Sequence, residues 1–146
     1  NDAWGSDRFD RKRYPHPRAM IAKIHALHAH FMISVWPKFY PGTRHYKQLA
    51  AHGDMFTLPV KLGIKDWVGT GYAFGFYDPF SAAGRQLYWR QIQHSLAVLG
   101  VDAWWLDADE PDMVSNTSIA EREAFMTPNP LGPGAAVFNA YALEHV

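Results

Sequence analysis

The sequence predicts an α/β fold built around a parallel βαβ unit. Two short apolar runs, residues 31–36 and 101–106, have the length and the β-branched and aromatic content of buried strands. A helical pattern long enough for a crossover between parallel strands lies between them. The right-handed closure of such a unit places the carboxyl ends of both strands at one edge of the sheet. We therefore expect Trp36, which ends the first run, and Asp107, which follows the second, to lie together.

Length, composition and charge exclude several classes of protein. The 146 residues suit one domain, and 48% apolar with 19% charged residues is typical of a globular chain rather than a disordered one. Lysine plus arginine and aspartate plus glutamate number 14 each, so no strong field would attract nucleic acid or anionic lipid. Because cysteine is absent, disulfides, thiolate metal sites and a cysteine nucleophile are excluded. No apolar run approaches the ~20 residues that span a bilayer, so neither nucleic acid nor membrane is an expected partner.

The first elements are an irregular loop over residues 1–17 and an amphipathic helix over residues 18–30. His25, His28 and His30 fall in this helix, but no carboxylate accompanies them there, so we interpret them as solvated or core side chains rather than metal ligands. The apolar stripe that predicts the helix carries Met20, Ile21, Ile24 and Leu27.

A segment of 44 residues, 37–80, separates the first predicted strand from the next clear helix. It is far longer than usual strand-to-helix loops, and long loops on a scaffold are commonly functional. Residues 44–52 could form a short helix within it. The remainder alternates glycine with aromatic side chains, whose faces suit stacking on a sugar ring. We expect this aromatic loop, residues 67–77, to form the rim of a cleft, and an accessory packing flap is the alternative. Its aromatic residues are Trp67, Tyr72, Phe74, Phe76 and Tyr77.

The crossover helix begins with the start signal at residues 78–81 and ends at Gly100, directly before the second strand. Downstream, Ser118 and Glu121 form a capping box that predicts a short helix, and a further helix begins near residue 135. One face of the crossover helix carries Tyr88, Ile92, Leu96 and Leu99.

The chemistry is expected at Asp107, a carboxylate at the end of a buried strand. Trp104 and Trp105 precede it and could form an apolar surface that excludes water beside its carboxylate. Cleavage of a glycosidic bond needs two carboxyl groups, one as nucleophile or base and one as acid, and Asp107 is the candidate nucleophile. Glu110 could orient a sugar hydroxyl or Asp107 itself.

Other chemistries fit these residues less well. Asp109, Glu110 and Asp112 could simply cap a helix or face water. Asp107, Asp109 and Asp112 could be oxygen ligands for a divalent cation, but the pattern lacks the glycine and the twelfth-position glutamate of a calcium-binding loop, so we expect no metal. The chain has no G-x-S-x-G elbow for a serine nucleophile. It also has no glycine-rich phosphate loop, so no cofactor is expected.

Three segments resemble glycoside hydrolase family 31, in particular its bacterial α-xylosidases. They are ISVWPKF at residues 33–39, FYD at residues 76–78 and GVDAWWLD at residues 100–107, with Glu110 at the family's spacing from the aspartate. The resemblance covers essentially the whole chain. It implies a retaining α-glycosidase on a (β/α)8 TIM barrel, with Asp107 as nucleophile. It also implies that Trp36 lines the pocket for the terminal sugar, and we add Tyr77, Trp104, Trp105 and Glu110 as candidate substrate-binding residues.

The resemblance further implies that residues 1–146 are a segment of the catalytic domain. A complete barrel takes about 250 residues, so we expect roughly the second to fourth βα units, with the acid/base residue beyond Val146. The expected partners are the remainder of the barrel and an oligosaccharide with terminal α-xylosyl residues, as in xyloglucan. We expect the segment alone to be inactive. The alternative is a non-catalytic carbohydrate-binding module that uses residues 67–77.

Overall fold

The computed structural model describes residues 4–56, 60, 63, 65, 66, 68 and 71–107. These residues form an α/β structure in which a two-stranded parallel sheet and a three-stranded antiparallel sheet share helices. The helices are α1 (Pro17–Ala26), α2 (Arg44–Ala51), α3 (Ala82–Ser95) and a 3-10 turn at Ala97–Leu99. The strands are β1 (Met32–Val35), β2 (Lys38–Phe39), β3 (Met55–Phe56), β4 (Gly75–Tyr77) and β5 (Ala103–Leu106).

The predicted βαβ unit is confirmed. β1 and β5 pair in parallel, from Met32 opposite Ala103 to Val35 opposite Leu106, and α3 lies in the chain between them. The pairing continues one step further, because the Asp107 amide donates to the Val35 carbonyl oxygen at 3.1 Å. Both strands therefore end at the same edge of the sheet.

One face of the parallel sheet packs against α3, and the other is uncovered in the part of the chain that the structure describes. Ile33 and Val35 of β1 contact the core cluster that contains apolar residues of α3. On the opposite face, Met32 and Trp105 are 52% and 58% exposed. The expectation that residues 101–106 form a buried strand is therefore wrong for one face of β5 in the described residues. Only two parallel strands are paired there, so no closed barrel covers their second face.

Residues 37–80 contain an antiparallel sheet that the sequence analysis missed. β4 pairs with β2 on one side and with β3 on the other. The helix α2 lies between β2 and β3 in the chain, at its predicted position. Phe74 and Phe76 are almost fully buried, so they form a core of their own rather than the rim of a cleft. Gly75 is required by packing, because a Cβ there would lie 2.9 Å from the Phe56 carbonyl oxygen on the neighbouring strand.

The helix ends follow local capping rules. Thr43 caps α2 by accepting from the Tyr46 amide at 3.2 Å, and Ser81 caps α3 by accepting from the Gly84 amide at 3.0 Å. Gly100 adopts a left-handed conformation with φ of 102°, as expected for a glycine that ends a helical segment. The first helix is shorter than predicted, because the chain reverses at His28 with φ of 56°. Among the described helices, none is long and apolar enough to cross a bilayer.

Asp102 ties the end of α1 to the start of β5. Its carboxylate accepts from the Phe31 amide at 2.7 Å and contacts His25 Nε2 at 2.8 Å, while His30 Nδ1 lies 3.6 Å away. The carboxylate that the sequence analysis did not find near these histidines thus comes from a distant part of the chain. The hydrogen bond from the Phe31 amide, followed by that from His25, lowers the pKa of Asp102 from 3.8 to about 2.

This lowered pKa predicts a loss of stability in acid. Because the folded pKa lies below the unfolded one, the contribution of Asp102 is complete above pH 3.8 and is lost as the pH falls towards about 2. We expect Asp102→Asn to flatten the stability curve of the full-length protein in that window, measured by thermal denaturation at a series of pH values. An unchanged pH dependence would contradict the assignment. Asp10→Asn, at an exposed site, is the matched control.

Candidate active site

The candidate site lies at the edge where β1 and β5 end. Val35 and Leu106 are the last paired residues, so Trp36 and Asp107 are the first residues beyond the two adjacent strands. Both are half-buried. The Tyr88 hydroxyl on α3 donates to the Trp36 carbonyl oxygen at 3.2 Å and fixes the end of β1. The carboxyl end of a parallel strand is where barrel enzymes place their catalytic residues.

Strand alternation separates the two neighbouring tryptophans. Trp104 packs edge-on against Trp89 of α3, with ring centroids 6.0 Å apart, on the helix-covered face. Trp105 lies on the opposite, open face, which by the two-residue period of a strand is also the face of position 107. The two indoles therefore do not form one wall beside Asp107. Trp105 shares its face, and the placement of Trp104 does not favour contact with a sugar there.

Tyr77 belongs to the helix-packed core in this structure. Its ring stacks on Tyr88 with centroids 4.6 Å apart, and its amide donates to the Pro37 carbonyl oxygen at 3.2 Å. Its predicted contact with substrate stays a prediction. The other candidates lie outside the described residues: Trp67, Asp109, Glu110 and Asp112, with the predicted helices after residue 117.

A buried charged cluster next to Trp36 is the feature that sequence reasoning missed. Lys38 and Asp66 form an ion pair, with Nζ 3.0 Å from Oδ1, and their side chains are only 3% and 1% exposed. The Tyr40 hydroxyl donates to the second oxygen of Asp66 at 2.5 Å. The ammonium group also lies over the rings of Trp36, Trp4 and Phe74, at 4.6, 4.7 and 5.9 Å from their centroids.

The pKa values of Asp66 and Tyr40 are shifted in opposite directions. Burial alone would raise the pKa of Asp66, but hydrogen bonds from Tyr40, Lys38 and the Val68 amide outweigh it and hold the pKa below its usual value. Burial, with the hydrogen bond to Asp66, raises the pKa of Tyr40 well above 10.0. Asp66 is therefore a carboxylate and Tyr40 a neutral donor at neutral pH.

One signal in the sequence pointed to this cluster. Lys38 is the single charge in a run of strand-forming and aromatic residues, WPKFY at residues 36–40. A lysine is seldom fully buried without a partner, so a buried run of this kind predicts an acid nearby in space. Asp66 is 28 residues away in the chain, and no local pattern identifies it. Among the described residues, no group of three histidine, cysteine or acidic side chains could hold a metal ion.

Comparisons with known proteins show which family this chain belongs to. The model of the glycosyl hydrolases family 31 TIM-barrel domain matches residues 1–146. The chain is 52% identical to a family 31 α-xylosidase from Xanthomonas citri, whose crystal structure superimposes with a TM-score of 0.86 over 99% of this chain and 16% of that one. A soil-metagenome α-xylosidase solved with xylose is 26% identical, with a TM-score of 0.68 over 96% of this chain and 20% of that one.

Sequence relatives give the same result. An α-xylosidase of Saccharolobus solfataricus is 31% identical over 109 residues, which are 75% of this chain and 13% of that protein. The chain thus spans a fifth or less of the length of each of these relatives. Because the family model matches the whole chain, the resemblance found in the sequence is confirmed, and the chain belongs to the TIM-barrel domain of glycoside hydrolase family 31.

Proposed function

We propose that these residues supply the catalytic nucleophile, Asp107, and part of the sugar pocket of a retaining α-xylosidase. The observation that carries the proposal is the shared edge of β1 and β5, where the Asp107 amide extends the pairing to Val35 and brings Asp107 beside Trp36. The α-xylosidase relatives support the choice of sugar. In this proposal residues 1–146 are a segment of a longer catalytic barrel, covering about its second to fourth βα units.

The proposed chemistry is a double displacement. A carboxylate oxygen of Asp107 attacks the anomeric carbon and forms a glycosyl ester as the bond to the leaving oxygen breaks. A second carboxyl group protonates the leaving oxygen and then takes a proton from the water that hydrolyses the ester. That second group is expected beyond Val146, at about 5–5.5 Å from Asp107 as in retaining enzymes. A segment without it binds part of a substrate but does not complete a turnover.

The substrate that we propose is an oligosaccharide with a terminal α-xylosyl residue, such as one derived from xyloglucan. Xylose differs from glucose by the absence of the exocyclic hydroxymethyl group, so its ring presents a compact apolar face. Trp36, half-buried at the strand end, offers an aromatic surface for that face. Trp105, on the same side of the sheet as Asp107, is the second aromatic candidate.

Covalent trapping tests the nucleophile directly. We expect 5-fluoro-α-xylosyl fluoride to inactivate the complete enzyme with one label per chain. The fluorine at carbon 5 slows both formation and hydrolysis of the glycosyl ester, but the anomeric fluoride is a good leaving group, so the ester forms and then accumulates. Peptide mass spectrometry should place the label on Asp107. A label on any other residue would refute this role. A 5-fluoro-glucosyl fluoride, which carries the hydroxymethyl group, is the matched control and should inactivate more slowly if xylose is the preferred sugar.

A further inference from the structure

We propose that Lys38 is a positioning residue: its buried ammonium group, held by Asp66, fixes the orientation of the Trp36 indole and thereby the affinity of the pocket for its sugar. This inference rests on the proposed function, in which Trp36 contacts the substrate. The chemistry recognised is the apolar face of a pyranose, and Lys38 acts only through the ring that stacks on it.

The position of Lys38 explains why it can orient the ring. Its Nζ atom lies 4.6 Å from the centroid of Trp36, within the distance at which a cation is attracted to an aromatic face. The lysine side chain is 3% exposed, so little water screens this attraction. Lys38 is also two residues beyond Trp36, with Pro37 restricting the backbone between them. Both the backbone that carries the ammonium group and the ring that it contacts are therefore restricted in position.

The ammonium group is itself fixed from the other side. Asp66 accepts from Nζ at 3.0 Å, and its carboxylate is held in turn by the Tyr40 hydroxyl and by the Val68 amide at 3.1 Å. The ring of Tyr72 stacks on Tyr40 at 5.0 Å with an angle of 8°. The carboxylate of Asp66 thus accepts three hydrogen bonds, from Lys38 Nζ, the Tyr40 hydroxyl and the Val68 amide.

A second ring restricts Trp36 further. Trp4 meets it edge-on, with centroids 4.8 Å apart at 70°, and its own ring lies 4.7 Å from Nζ of Lys38. The Tyr40 amide donates to the Trp4 carbonyl oxygen at 3.0 Å, which ties this loop to β2. Lys38 thus holds two indoles at a set angle, and only Trp36 lies at the strand edge beside Asp107.

The test is a double-mutant cycle in the complete enzyme, with an aryl α-xyloside as substrate. We expect Lys38→Met to raise KM about tenfold, equivalent to about 1.4 kcal/mol, in the range of a desolvated cation–π contact. The kcat should stay within about threefold, because the ring contacts substrate and transition state alike. In the Trp36→Ala background the same substitution should change KM by less than about twofold, since the ring that it orients is gone.

Controls separate positioning from general damage. Lys47→Met removes an exposed lysine of α2 and should leave both constants unchanged. The variant K38M/D66N removes both buried charges at once, so it should fold even if Lys38→Met alone does not, and it should show the same rise in KM.

Three results would overturn the inference. The first is an equal rise in KM with and without Trp36, which would indicate a purely structural role. The second is an unchanged KM in folded K38M/D66N. If Trp36→Ala itself leaves KM unchanged, the place of Trp36 in the pocket fails together with this inference. The covalent labelling experiment tests Asp107 as nucleophile independently of these three results.

Discussion

Replacing Asp107 by asparagine in the complete enzyme is expected to lower kcat by about 10⁴-fold or more, as removal of a covalent nucleophile does in other enzymes. The amide is neutral and is a poor nucleophile, so the glycosyl ester does not form. The side chain is almost the same size, and the Asp107 amide that donates to Val35 is untouched, so the fold should be retained. Hydrolysis of an aryl α-xyloside measures the loss, and circular dichroism checks the fold.

Two further variants make this prediction specific. Asp102→Asn changes an aspartate at the other end of β5 and should retain most of the activity, because Asp102 contacts His25 of α1 and the Phe31 amide rather than the strand edge. Asp107→Ala should regain turnover when azide is added, because the small anion can occupy the vacated space. The expected product is the β-xylosyl azide, formed by attack opposite the leaving group. Wild-type activity in Asp107→Asn would refute the nucleophile.

Replacing Asp66 by alanine is expected to destabilise the antiparallel sheet by about 3–5 kcal/mol, the usual cost of removing one member of a buried ion pair. The ammonium group of Lys38 would remain buried without its carboxylate, and the Tyr40 hydroxyl would lose its acceptor. Hydrogen exchange at the amides of β2 and β4 measures the local free energy of opening. We expect the protection of these amides to fall sharply in the complete enzyme.

The controls for Asp66 use the rest of the chain. Asp10→Ala removes an exposed carboxylate 3.7 Å from Arg13 Nε and should cost no more than about 1 kcal/mol, as surface ion pairs do. K38M/D66N should cost less than Asp66→Ala, because no unpaired charge remains buried. Equal costs for Asp66→Ala and Asp10→Ala would show that the buried pair does not stabilise the sheet.

The sequence was most informative where local rules decide the structure. Ser81 and Gly100 mark the start and end of the helical crossover, and both adopt the predicted capping roles. The two apolar runs pair in parallel, and the helix between them is long enough for the crossover that a parallel pair needs. The family resemblance rests on the same region and is confirmed over the whole chain. The role of Asp107 as nucleophile is inferred from this family match and is tested by the experiments above.

Contacts between residues distant in the chain could not be predicted from the sequence. The pattern of glycine and aromatic residues in 71–77 fits an exposed rim as well as a buried strand, and the pairing with β2 and β3 decides between them. The ion pair of Lys38 with Asp66 joins two residues whose local patterns do not point to each other. We expected the neighbouring Trp104 and Trp105 to lie together beside Asp107, but side chains alternate along a strand, so the two indoles lie on opposite faces of the sheet.

The hydroxyl of Tyr88 ties α3 directly to the end of β1. It donates to the backbone of Trp36 from a ring that also packs on Tyr77 and, edge-on, on Phe39. Substitutions on α3 that shift this ring will therefore move the end of β1 without touching a sugar. The inward-facing positions of α3 thus offer a remote way to change the proposed pocket, and substitutions there should not be treated as neutral.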